Sequence, residues 1–244
     1  VATAIAEVSA LILGLFLCYD RFKDNSWPSF QAIFSTERLK NMLSINLDIF
    51  FRSIMLQAIS VSFLLYGGKF GDVKLAANQI LLQFLHVAAH GLDGFAFAAE
   101  TLVGQAFGRK DRTILRKSVK VTSKLAFLLC CTMAIIFFFI GSSLIDVMTT
   151  AEDVRSEAKG YIIFIVLVPI LGASAYMLDG IFVGAMKTKD MRNMMFISVI
   201  FYFLALILLV PHFENIGLWL ALLISFVVRG VTLALRYPSL EKSI

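Results

Sequence analysis

The sequence predicts an all-α integral membrane protein of about seven transmembrane helices, and three observations carry that prediction. Of its 244 residues 59% are hydrophobic and only 16% are charged, whereas soluble domains are nearer ~25% charged. Seven segments, about 2–19, 42–66, 76–106, 121–149, 159–186, 191–211 and 215–235, each offer the roughly 20 apolar residues that a helix needs to cross the hydrocarbon core. The basic residues between these segments alternate in density along the chain, as they do when successive loops lie on opposite sides of a bilayer.

The first segment, VATAIAEVSALILGLFLC, has no initiator Met, basic flank or cleavage-site pattern, so it does not read as a signal peptide. It is expected to be a transmembrane helix (1–19) inside a larger protein. The next stretch, 20–41, is the longest polar break, and its Trp27–Pro28 pair suits an interfacial anchor beside a turn. If the chain has a lobe boundary, it lies here, and 42–244 is then expected to form one six-helix bundle. The loops at 20–41, 107–120 and 187–192 and the C-terminal tail carry fifteen Lys and Arg. The loops at 67–75, 142–159 and 211–215 carry four. That asymmetry puts Ile244 on the cytoplasmic side of a cell membrane crossed many times. The net charge of +5 is therefore topology, and no nucleic-acid partner is expected. Cys18, Cys130 and Cys131 lie in apolar runs without ligand spacing and read as small hydrophobes.

The chemistry-bearing residues are those the bilayer would reject. A charge at the centre of a span costs roughly 2.5–3.5 kcal/mol on insertion scales, so Asp48, Arg52, Asp93, Glu100, Asp179 and Arg229 each need a reason. Asp48 and Arg52 stand four residues apart, within reach of an ion pair along one helix. That pair reads equally well as structural or as part of a transport path. Arg229 has no acid near it in sequence and reads as structural, and Glu100 lies closer to the end of its span. Asp93 and Asp179 lie deep in their spans, and each is followed by Gly, which admits another backbone or a ligand. Desolvation favours the protonated form of a carboxylate, the property a proton carrier needs.

Residues 79–105, QILLQFLHVAAHGLDGFAFAAETLVGQ, place Gln79, Gln83, His86, His90, Asp93 and Glu100 at steps of four, three, four, three and seven. Such steps stack side chains along one helix face. A polar seam on a lipid-soluble helix must face protein or water, and a water-lined seam through a bundle is what a solute pathway requires. His86, His90 and Asp93 could in principle hold zinc in an intramembrane enzyme, but without a fourth or activating ligand two histidines lining a wet cavity is the better reading. No ATP-binding or hydrolase motif is present, so the protein is not read as an enzyme.

AANQILLQFLHVAAHGLDGFAFAAETLVGQAFGRKD at 76–111 closely resembles the eighth helix of multidrug and toxic compound extrusion (MATE) transporters, especially their DinF-like branch. NLDIFFRSIMLQ at 46–57 and YMLDGIFVGAMKTKDMR at 176–192 resemble that branch's seventh helix and its tenth with the following loop. The resemblance implies helices six to twelve of a twelve-helix, two-lobed carrier that exports cationic or amphipathic compounds by alternating access, in exchange for H⁺ or Na⁺ and without another cofactor. The N-terminal lobe is then a missing partner, alongside the lipid bilayer and a small-molecule substrate. By the same resemblance Asp179 matches a tenth-helix coupling acid of the NorM-like branch. The corresponding seventh-helix acid falls at Arg52, with Asp48 one turn earlier. A cation there would repel Na⁺, which favours H⁺. The expected coupling set is Asp179, Asp93 and Asp48. The expected cavity wall is Gln79, Gln83, His86, His90, Glu100, Arg52 and Tyr176, with no metal. A lipid-linked oligosaccharide flippase of the same superfamily is the alternative.

Overall fold

The computed structural model describes residues 2–22 and 35–244. Trp27–Pro28 and most of the expected inter-lobe loop lie outside the described residues. All regular structure among the described residues is helical: α1 (Ala2–Phe22), α2 (Thr36–Gly68), α3 (Asp72–Arg109), α4 (Arg112–Met148), α5 (Glu152–Gly160), α6 (Ile162–Gly184) and α7 (Thr188–Lys242). The chain divides into two units, 1–44 and 45–244. The first holds α1, with its apolar run Thr3–Tyr19, and the first residues of α2. The second holds every charged span residue named above.

Five described helices, α2, α3, α4, α6 and α7, are long and apolar enough to cross a membrane. The last is 55 residues long and breaks at Glu214, whose φ of 47° and ψ of −124° are not helical. It therefore supplies two spans, 188–213 and 215–242, matching the two expected at 191–211 and 215–235. Side chains pin the break. Asn78 and Asn215, both fully buried, exchange amide hydrogen bonds of 2.7 and 3.1 Å. Trp219 Nε1 donates to Asn78 Oδ1 at 2.9 Å, and Lys74 donates to Glu214 at 2.8 Å.

Helix ends follow local chemistry. The side chain of Asp111 caps α4 by accepting from the Thr113 and Ile114 amides at 2.8 and 3.0 Å, satisfying donors a helix start leaves free. The polar loop expected at 142–159 contains the short helix α5, with Glu152 and Asp153 in its first turn and Lys159 in its last, the charge order a helix dipole favours.

In the second unit α6 is central. Half of its apolar stretch is buried, and it packs against α3, α4 and α7. Its crossing with α3 is close because Gly180 and Gly184 sit there. A Cβ on Gly180 would lie 2.5 Å from the Ala96 carbonyl oxygen, and one on Gly184 would overlap the Glu100 carbonyl. Gly94, by contrast, faces open space, so the two Asp–Gly pairs do different work. Helix α2 meets the bundle through Phe63, edge-on to Trp219 at 5.0 Å, and through Ser62, which donates to the Tyr202 hydroxyl at 3.1 Å. Buried apolar residues form two clusters. One gathers around Trp219, Tyr202 and Phe63, the other around Leu92, Leu115 and Ile181.

Candidate functional site: a charged cavity inside the helix bundle

Between α2, α3, α6 and both limbs of α7 lies a cavity of about 650 Å³. Helix α2 contributes Arg52 and Leu56; α3 contributes Gln79, His86, Asp93 and Glu100. Tyr176 and Asp179 come from α6, and Met195, Ser198, Phe226 and Arg229 from α7. The two α7 limbs are tied beside it by Ser198 Oγ donating to the Ser225 carbonyl at 2.7 Å.

The seam on α3 divides in two. Gln79, His86, Asp93 and Glu100, spaced by seven, line the cavity, while Gln83 and His90 do not reach this wall. A step of seven on an α-helix turns a side chain by only about 20°, whereas a step of three turns it by about 60°. The heptad set drifts gradually, by about 60° from Gln79 to Glu100, while Gln83 and His90 are each turned about 40° to 60° from their two neighbours in the row, toward the same side. His90 Nδ1 lies 2.6 Å from the His86 carbonyl oxygen of its own helix. Among the described residues no three His, Cys, Asp or Glu side chains converge as metal ligands would.

The ion pairs also differ from the sequence expectation. Asp48 and Arg52 do not pair with each other. Arg52 bonds Asp179 on α6. Asp48, 3% exposed, accepts from Arg192 Nη1 at 2.6 Å and from Thr188 Oγ1 at 3.0 Å, at the start of α7 and away from the cavity wall. Partners on other helices won because the bundle brings opposite charges together face to face, an arrangement that sequence spacing does not report. Arg229, which sequence proximity assigned to structure, lies in the wall with its Nε 3.9 Å from Asp179 Oδ2. The signal for it was present: a charge inside a span is a functional candidate by default.

The wall is not electrically settled. Asp179 Oδ1, Arg52 Nε and both Nε and Nη2 of Arg229 are buried and have no hydrogen-bond partner among the described residues. Asp93 and Glu100 make no ion pair among the described residues. Buried polar groups are almost always partnered, so a cluster of exceptions in one cavity asks for a function.

Comparison with known proteins follows the same lines. The MatE family profile matches residues 49–209. DNA damage-inducible protein F of Escherichia coli K12 is 31% identical over 235 residues, covering 96% of this chain and 51% of that protein. A probable multidrug resistance protein NorM of Photorhabdus laumondii is 21% identical over 173 residues, or 70% of this chain and 37% of that one. The crystal structure of the Vibrio cholerae MATE transporter VcmN in the bent form superposes with a TM-score of 0.83 at 18% identity, covering 98% of this chain and 56% of that chain. The chain thus spans about half the length of the relatives it matches. With a family match over most of its spans and the same helical architecture, the chain belongs to the MatE family.

Proposed function

We propose that this chain forms one half of a two-lobed membrane exporter that moves small amphipathic compounds out of the cell, driven by an ion gradient. The observation that carries this reading is the cavity between the spans, apolar over most of its lining but set with charged and amide side chains. Its volume of about 650 Å³ in this half alone suits a drug-sized molecule. The apolar lining, with Leu56, Phe226 and Met195, would take the body of a substrate, and the α3 row would meet its polar groups. Alternating access then consists of rocking this lobe against the other, so that the wall faces each side of the membrane in turn.

Proton exchange fits the charges better than sodium. Arg52 and Arg229 flank Asp179 and would oppose a second cation beside it. Asp93 and Glu100 are the carboxylates free to take up and release protons, with His86 beside them on the same row. Asp179 would respond through its arginines: when substrate or a proton alters the wall, the Arg52 bond is the one to rearrange. The positive-inside charge pattern supports a cytoplasmic C-terminus in the cell membrane. The test is efflux by the full-length protein in vesicles carrying an imposed pH gradient. Asp93→Asn together with Asp179→Asn should reduce gradient-driven export to the level of empty vesicles. Wild-type rates in the double variant would refute the coupling role of both residues.

A further inference from the structure

Arg229 carries a feature that neither its neighbours nor general proton coupling uses. Its guanidinium carbon lies 5.3 Å from the Tyr176 ring centroid and 5.5 Å from that of Phe226, and the two rings are themselves 5.9 Å apart. Aromatic rings hold the face of a guanidinium by cation–π attraction but leave its in-plane N–H groups unused. Of those groups Nη1 touches only the Met195 sulfur, at 3.9 Å. Nε and Nη2 have no partner among the described residues, and at 3.9 Å the Asp179 oxygen is too far from Nε to accept a hydrogen bond. The residue is 3% exposed and lines the cavity. A rigid, desolvated cation with free in-plane donors is a receptor for a planar oxyanion, which such a fork binds edge-on.

The same cavity carries opposite charge elsewhere. Asp93 and Glu100 line it from α3, while Asp179 is engaged by Arg52. We infer that Arg229 forms an anion-receiving subsite, and that the preferred ligands are zwitterionic amphipaths whose carboxylate, sulfonate or phosphate meets Arg229 while a cationic group meets the α3 carboxylates. This rests on reading the cavity as the substrate site, and it narrows the expected cationic or amphipathic compounds to those that carry both charges.

A matched pair of dyes tests it: a rhodamine with a free benzoate carboxylate, which is a zwitterion, and its methyl ester, a cation of the same shape. Binding of each to the full-length protein in nanodiscs is followed by fluorescence polarisation. The free acid should bind about tenfold more tightly than the ester, the scale of one charge-assisted hydrogen-bond set. In Arg229→Gln the acid preference should vanish, the two dyes binding within about twofold of each other. Equal or tighter binding of the ester by the wild type overturns the inference, as does an acid preference that survives Arg229→Gln. Should Arg229→Gln fail to fold, Arg229→Lys keeps the charge without the fork and should cut the preference to about threefold; an unchanged preference again overturns it. Export of both dyes is scored separately. Gradient-driven export of the ester without an acid preference in binding overturns the subsite and leaves the carrier standing. An acid preference without export of either dye does the reverse.

Discussion

Two buried aspartates in this bundle have similar ingredients and opposite completeness. Asp48 and Asp179 each sit inside a span, each at the low end of exposure, and each meets an arginine from another helix. At Asp48 both carboxylate oxygens are used, one by Arg192 and one by Thr188, so α2 is fastened to the start of α7. At Asp179 one oxygen takes Arg52 while the other is unpartnered, and the second arginine nearby has two idle nitrogens. A complete cluster can only hold. An incomplete one, placed in a cavity wall, is ready to exchange partners. The number of unsatisfied donors and acceptors separates the two roles, and charge content alone does not.

The largest effect should come from breaking the complete cluster. Arg192→Ala leaves the Asp48 carboxylate buried with Thr188 as its remaining partner. Stripping one partner from a buried pair typically costs about 3 kcal/mol or more. Asp48→Asn leaves instead an arginine whose side chain is about a third exposed and can turn to water, so its cost should be nearer about 1 kcal/mol. Reversible unfolding in mixed micelles measures both. Equal losses for the two variants would erase the asymmetry on which the contrast rests.

A smaller contrast of the same kind lies in two adjacent amides. Asn78 is fully buried and bonded to Asn215 and Trp219 at the α7 break, whereas Gln79 faces the cavity. Asn78→Ala should cost about 2 kcal/mol by orphaning the Asn215 amide, and Gln79→Ala less than about 0.5 kcal/mol. In vesicles the order should invert, with Gln79→Ala weakening substrate binding and Asn78→Ala leaving it within about twofold once folded protein is normalised. A binding loss confined to Asn78→Ala would place the pathway at the wrong amide.

How far the sequence could be read depended on the range of the force involved. Span positions were legible because hydropathy integrates about 20 residues. The break between 211 and 215 was placed correctly, and it is made at Glu214, whose backbone is not helical. Helix α5 was passed over as loop because EDVRSEAKG is polar, and its amphipathic face is visible only once α3 and α4 are there to pack on it. Part of the cavity wall was legible as well: Gln79, His86, Asp93, Glu100, Arg52, Tyr176 and Asp179 all line it. What could not be read was pairing. Asp48 stands four residues from Arg52 yet bonds a residue 144 positions away, and Arg229 meets Asp179 across 50 positions, as their numbers show. Only the folded bundle decides which opposite charges come within a few ångströms of each other.

The finest discrimination concerns the two rows on α3. Helical drift separates the heptad row from Gln83 and His90 by a fraction of a turn, which is enough to move a side chain off the cavity wall. Single cysteines at 79, 86 and 93 in a background without Cys18, Cys130 and Cys131 should be slowed about fivefold or more in their reaction with a water-soluble thiol reagent when a transported dye is present, since an occupied pocket excludes most of its water. Cysteines at 83 and 90 should react at the same rate with and without dye. The accompanying changes in stability should be the smallest of all, with His90→Ala within about 0.5 kcal/mol of the wild type, because its ring bonds only its own helix. Protection at 83 and 90 equal to that at 86 and 93 would mean that the substrate path runs along the whole polar face, and the division of α3 into a cavity row and an outer row would have to be abandoned.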